Sequence, residues 1–287
     1  MRLRRRSATP AIVSASVAGL IAGATAVAVA DDPPEYVALG GASFSAGVGI
    51  PSPVPGSPSG CGRSTSNFPR TVAEEQGYRL KDMSCGGAQT RHLTTSQTAG
   101  QPPQFDGLSS TTDVVTMQIG YNDGNVYSGS IADCSQTASG SSQLAPCEAR
   151  TLGRYSAEIQ VTAANIAAAI AGVKDRAPSA RILVVGYPAV YPQQGNCPPG
   201  RNPFSAPDTA FLDRLEVELN TMLKTQAQSA GVDFVDTYGP PSVGHDSCKP
   251  QSTRWVEPYT NPIGALRLHP NAKGHQQVAK AVLAALD

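Results

Sequence analysis

The sequence predicts a three-layer α/β/α fold with a central five-stranded parallel sheet. Three observations lead there: five apolar runs of strand length, stretches of helical periodicity between them, and Gly or Pro where one pattern gives way to the next. Strands that alternate with helices of this length pair in parallel, and such a sheet is covered by helices on both faces.

The first strand is Tyr36-Val37-Ala38-Leu39, and a weaker one follows near Tyr78–Met83. The third, Val114–Ile119, is rich in β-branched residues. A helix then places Leu152, Tyr155, Ile159, Ala163, Ile166, Ile170 and Val173 on a single face, bounded by Pro178. After the fourth strand, Ile182–Val185, a second helix runs through Leu212, Leu215, Leu219 and Met222 to Gly231, a residue suited to terminating it. The fifth strand is Val232–Val235. The last helix extends from about Pro270 to Leu286, with proline in the first turn, where its missing N–H costs no hydrogen bond.

Residues 1–30 read as an export signal. Arg2, Arg4, Arg5 and Arg6 precede an Ala/Val/Ile run from Ala11 that closes on the small residues Ala28-Val29-Ala30, and no stop-transfer segment follows to make a membrane anchor. Cleavage near Ala30 leaves residues 31–287 as a single secreted domain, undivided by any composition break or repeat and long enough to bury a core. Without the four arginines, the 22 basic residues fall to 18 against 22 acidic ones, a formal charge of −4. That balance speaks against a nucleic-acid partner.

Six cysteines, at 61, 85, 134, 147, 197 and 248, imply disulfides in an exported chain, with fifteen conceivable pairings. Cys61 and Cys85 fall in loops after the first and second strands, Cys134 and Cys147 in one loop after the third, and Cys197 and Cys248 after the fourth and fifth. This placement reduces the number, and the sequential pairing Cys61–Cys85, Cys134–Cys147 and Cys197–Cys248 joins loops on one edge of the sheet. Scattered histidines and the absence of a C-x-x-C array leave metal binding poorly supported, and no cofactor is expected.

Ligands of an open parallel sheet bind at the carboxyl ends of its strands. Three ends carry chemistry here: Gly40-Gly41-Ala42-Ser43-Phe44-Ser45 after the first strand, Ser84-Cys85-Gly86-Gly87-Ala88 after the second, and Gly120-Tyr121-Asn122-Asp123 after the third. His269, in Leu266-Arg267-Leu268-His269-Pro270-Asn271 before the last helix, adds an imidazole. A hydroxyl, a bare backbone N–H, a carboxamide and an imidazole are the inventory of acyl transfer: nucleophile, base and oxyanion donors. Each segment alone also fits an ordinary turn.

Together, in this order and spacing, the four segments resemble the blocks of the SGNH (GDSL-type) hydrolases, whose fold is flavodoxin-like, and specifically the secreted actinobacterial esterases and lipases. The likeness spans nearly all of residues 31–287 and includes the three-disulfide loop pattern and the segment Gly244-His245-Asp246-Ser247-Cys248. It implies Ser43 as nucleophile, His269 as general base, and the Ser43 N–H, Gly87 N–H and Asn122 amide as oxyanion donors. The expected partner is a small-molecule or lipid ester, and the chain is expected to act as a monomer without a stable membrane anchor. Asp123 is expected to brace loops rather than react.

Two residues depart from the family pattern. Ala42 replaces the aspartate before the nucleophile, which bears on loop rigidity more than on reaction type, and leaves Ser45 as a rival nucleophile of poorer spacing. Leu266 stands where many members carry the triad acid. Its backbone carbonyl can still accept the imidazole N–H and set the tautomer, as in the Ser–His dyads of the secreted branch, so that carbonyl is expected to orient His269; the alternative is an acid recruited from elsewhere, Asp246 or Glu257. His92, His245 and His275 read as structural, with His275 pointing away from Ser43. Residues 51–60 read as a surface loop over the sheet edge. Trp255 and Tyr259 either line an acyl pocket or pack under the C-terminal loop. The expected activity is ester hydrolysis; a carbohydrate acetylesterase, an acyltransferase and a non-catalytic binding protein are the alternatives on the same scaffold.

Overall fold

A computed structural model describes residues 32–41, 43–135, 146–194 and 197–287; the export signal and Ala42 lie outside them. Its sheet has five parallel strands, β1 (Glu35–Gly40), β2 (Arg79–Asp82), β3 (Thr112–Gln118), β4 (Arg181–Val185) and β5 (Asp233–Val235), in the order β2-β1-β3-β4-β5. All five expected strands are present, shifted by one or two residues at their ends. β1 is buried along its whole length, as expected of a strand covered on both faces.

Alternation along the strands feeds two cores. Val37, Leu39, Val115, Met117, Ile182 and Val184 face one layer, which contains the helices α3 (Val126–Ser135), α5 (Arg154–Arg176) and α6 (Ala206–Ser229). Tyr36, Ala38, Val114, Leu183 and Val185 face the other, made by α2 (Phe68–Gln76) and α7 (Ala272–Leu286). Two short helices, α1 (Ser43–Ala46) and α4 (Cys147–Thr151), complete the set. Residues Pro33–Asp287 form one compact unit.

Several details differ from the expectations. Leu152 is not on the buried face of α5: it precedes the helix in left-handed backbone and is 89% exposed. Cys134 and Cys147 do not sit in a plain loop but at the end of α3 and the start of α4. Pro270 lies before the cap of α7, where the Asn271 side chain accepts the Gly274 N–H at 3.1 Å. The disulfides are Cys61–Cys85, Cys134–Cys147 and Cys197–Cys248.

The strand order reverses at β1, whose neighbours are reached by connections to either side. That arrangement opens a crevice at the carboxyl ends of β1 and β3. Ser43 follows β1 and Asn122 follows β3, so the topology sets both at its mouth.

On the opposite face, α7 buries His275 against α2. Its Nδ1 accepts the Phe68 N–H at 3.1 Å, and its ring lies 6.3 Å from that of Phe68 at an interplanar angle of 20°. Burial, with a smaller contribution from His269, lowers its pKa to about 3; burial likewise lowers His269 to about 4. Unfolded histidine takes its proton near about 6.5, so between there and the folded values the unfolded chain binds more protons and stability falls as pH falls. Each residue should contribute a loss on the order of 2 kcal/mol between about pH 6.5 and 5. Urea unfolding at pH 7 and pH 5 tests this: His275→Gln should about halve the histidine share of the loss, and an undiminished loss would assign the acid sensitivity to other groups.

Candidate active site

Ser43 opens α1, directly after the turn that ends β1. Gly41 makes the turn possible, because a Cβ there would stand 2.1 Å from the Ala88 carbonyl oxygen. The first and second strand ends are thus in backbone contact. Phe44, Ser45 and Ala46 are buried, leaving Ser43 half-buried at the start of the helix. Ser45 is no nucleophile in this geometry: its Oγ is buried and donates to Gln118 Oε1 at 3.0 Å, under the sheet edge.

The Ser43 Oγ lies 2.5 Å from His269 Nε2, and His269 Nδ1 lies 2.7 Å from a backbone carbonyl. A carbonyl can only accept, so Nδ1 carries the proton and Nε2 presents its lone pair to the Ser43 hydroxyl. Phe44 and Tyr127 pack on the imidazole, with ring centroids at 5.3 and 5.5 Å. The resulting burial lowers the His269 pKa to about 4, while the hydrogen bond to the Arg267 carbonyl works in the opposite direction.

That carbonyl belongs to Arg267, not to Leu266 as expected. Leu266 O is occupied by the His269 backbone N–H at 3.1 Å, closing a reverse turn over residues 266–269. Leu268, third in the turn, has φ +57°, the positive value that type II turns require at this position. In such a turn the central peptide is flipped, which carries the Arg267 oxygen to the imidazole. The turn is tied to the preceding segment by Leu268 N–H to Glu257 O at 3.0 Å and Glu257 N–H to His269 O at 2.9 Å.

Neither candidate acid contacts the imidazole. Glu257 is buried and engaged by Arg254 at 2.6 Å, by the Ile263 N–H at 2.9 Å and by the Asn271 amide at 2.9 Å. Burial pushes its pKa up, but these donors outweigh it and hold the carboxyl below its ordinary value. Asp246 accepts the Cys248 N–H at 2.9 Å and pairs with Lys249 at 3.6 Å.

Three donors lie on the loops that meet beside Ser43. Gly87 is exposed with φ +76°, a Cβ there would meet nothing closer than 3.9 Å, and its N–H has no acceptor among the described residues. The Ser43 N–H, at the start of α1, has none either. The Asn122 amide donates to Gly41 O at 2.7 Å and to Ala88 O at 3.1 Å, clasping the first two loops to the third. Asp123 accepts the Thr90 N–H at 3.0 Å and the Thr90 hydroxyl, and so braces a loop.

A cavity of about 280 Å³ adjoins His269, lined by Tyr127, Ile131, Ala132, Tyr259, Arg267 and Leu268 among others. Tyr259 is therefore a lining residue. Trp255 is not: it is buried behind the turn, stacked on His245 at 4.3 Å between centroids, and its carbonyl accepts the Asn271 N–H. Tyr127 was not evident from sequence, because it sits in a Gly- and Ser-rich helix without a clear apolar period. Cys134, Cys147 and Asp208 cluster closely enough to suggest a metal, but both sulfurs are spent in a disulfide and Asp208 accepts the Cys147 N–H at 2.7 Å.

Comparison with known proteins extends these observations. Residues 40–277 match the sequence model of the GDSL-like lipase/acylhydrolase family. The chain is 36% identical over 289 residues to Lipase 2 of Streptomyces coelicolor, an alignment covering 97% of this chain and 95% of that one. An extracellular lipase from Streptomyces rimosus superposes with a TM-score of 0.73 at 28% identity, covering 88% of this chain and 100% of the other. Phospholipase A1 from Streptomyces albidoflavus gives 0.71 at 26% identity, covering 88% and 99%.

Because the carboxylates are occupied elsewhere, removing their charge should leave the serine reactive. Asp246→Asn and Glu257→Gln are expected to be labelled at Ser43 by a fluorophosphonate within about tenfold of the unmodified rate, read by mass spectrometry on folded protein. A collapse in either variant would restore a carboxylate to the site.

Proposed function

This chain belongs to the GDSL-like lipase/acylhydrolase family and is a carboxylic-ester hydrolase, and we propose that it works through a Ser43–His269 dyad oriented by the Arg267 carbonyl. The observation that carries the reading is the continuous chain from Ser43 Oγ to His269 Nε2 and from Nδ1 to Arg267 O.

In the first half-reaction Ser43 Oγ attacks the ester carbonyl carbon while His269 Nε2 takes its proton. Negative charge gathers on the former carbonyl oxygen, to which the Ser43 N–H, the Gly87 N–H and the Asn122 amide donate. Collapse of the tetrahedral intermediate breaks the bond to the alcohol, which leaves with the proton from His269. Water then gives a proton to His269 and attacks the acyl-serine; the acid departs and Ser43 recovers its hydrogen. The Arg267 carbonyl stabilises the transient imidazolium less than a carboxylate would.

The substrate reading is a lipid or short-chain acyl ester. Tyr127, Ile131, Ala132 and Tyr259 form a largely apolar wall beside the dyad, suited to an acyl chain, and the relatives named lipase and phospholipase A1 agree with it. Three disulfides and an extracellular relative support export, with cleavage near Ala30, and action as a monomer without a membrane anchor belongs to the same proposal.

Fluorophosphonate labelling followed by peptide mapping tests the dyad: modification should be confined to Ser43, and folded protein that stays unlabelled would overturn it. His269→Ala should lower turnover by about 10³ or more. A panel of p-nitrophenyl esters of rising acyl length should show a preference that Ile131→Trp shortens by filling the cavity. The low His269 pKa keeps the base neutral in mild acid, so kcat/KM should hold to about pH 5 and its acid limb should centre near 4. A limb near about 6.5 would mean that the imidazole is solvated in the working enzyme.

A further inference from the structure

A leucine in left-handed backbone is unusual, and Leu268 holds that conformation one residue before the general base. The conformation disfavours a side chain by about 1–2 kcal/mol relative to right-handed backbone, so it persists only where neighbours enforce it. Two bonds from outside the turn do so. The Leu268 N–H donates to Glu257 O at 3.0 Å, and the Leu268 carbonyl accepts the Tyr127 hydroxyl at 2.7 Å. The Leu268 side chain is fully buried, which adds packing to both bonds.

Tyr127 reaches the turn from α3, a distant part of the chain. Its ring stands edge-on to the imidazole at 88°, and its oxygen is 3.4 Å from His269 Nδ1, well beyond the 2.7 Å of the Arg267 carbonyl. The phenol has one proton, and the short contact to Leu268 O takes it. Tyr127 therefore acts on the base through the backbone.

We propose that Tyr127 is a positioning residue for ester hydrolysis: its hydroxyl pins Leu268 in the left-handed conformation that turns the Arg267 carbonyl onto His269 Nδ1. The proposal rests on the Ser43–His269 dyad. Where no carboxylate among the described residues meets the imidazole, this carbonyl is the acceptor that must follow the ring as it becomes charged. Its placement matters more in the transition state than in the bound ground state, so its loss appears in kcat rather than KM.

Tyr127→Phe keeps the ring, the cavity wall and the contact with His269, and removes only the hydroxyl. On a short-chain p-nitrophenyl ester kcat should fall about tenfold with KM within about twofold, and fluorophosphonate labelling of Ser43 should slow in proportion. The His269 Nδ1 proton, hydrogen-bonded to the Arg267 carbonyl in the unmodified protein, should move upfield or broaden in the NMR spectrum of the variant. A tyrosine that only packs would lower the melting temperature and leave kcat, labelling rate and resonance as they were; that outcome overturns the proposal. The two readings separate cleanly. Unmodified protein that fails to label at Ser43 removes the dyad itself, whereas labelling that is equally fast in both proteins removes only the role of Tyr127.

Discussion

The site depends on a neutral imidazole kept out of water and held by a peptide oxygen. His269 sits among Phe44, Tyr127 and Leu268, with Nε2 on Ser43 and Nδ1 on the Arg267 carbonyl. Burial disfavours the charged ring, and no carboxylate among the described residues offsets it. In the role proposed for it, such an imidazole retains a proton only weakly, which suits a cycle in which the proton must pass on to the alcohol and be regained from water. The surrounding acids serve the scaffold instead: Glu257 fastens the segment on which the turn is hung, and Asp123 fastens the loop after β2.

The sheet brings the parts of this site together through few long-range decisions. Reversal of strand order at β1 sets the ends of β1, β2 and β3 side by side, and close backbone approach at Gly41 draws the first two ends into contact. The Cys61–Cys85 disulfide and the Gly86 N–H to Cys61 O bond tie the Gly87 segment to the loop after β1. His269 arrives from the far end of the chain, carried by backbone pairing with residues 255–257.

Much of this was legible in the residues. β1, β3 and β4 are buried over most of their length and so appear as predominantly apolar runs, while β2, an edge strand reading Arg79-Leu80-Lys81-Asp82, gives a weaker signal. The long helices α5, α6 and α7 carry apolar faces that repeat over several turns; α2 has one too, on Phe68, Val72 and Ala73, but is only 9 residues long, while α3 and α4 are short or rich in small and polar residues. Ser43, Gly87, Asn122 and His269 could be placed on one edge because each follows or faces a strand end. The Arg267 carbonyl is not distinguishable from that of Leu266 in the sequence, because the orientation of a peptide depends on φ at Leu268, and leucine is a residue whose identity argues against the value found. Trp255 could not be separated from Tyr259 by sequence, since its stacking partner His245 lies ten residues away in the chain.

The clasp made by Asn122 bears on selectivity between reaction stages. Its amide already satisfies two peptide carbonyls, Gly41 O and Ala88 O. An ester carbonyl entering the crevice is a neutral acceptor weaker than a peptide oxygen, and has little leverage to draw either hydrogen away. An alkoxide oxygen has far more, because hydrogen bonds to charged acceptors are roughly twice as strong. In the role proposed for it, Asn122 would ignore the substrate and answer the intermediate, so that the prior engagement of the amide works as a threshold on charge.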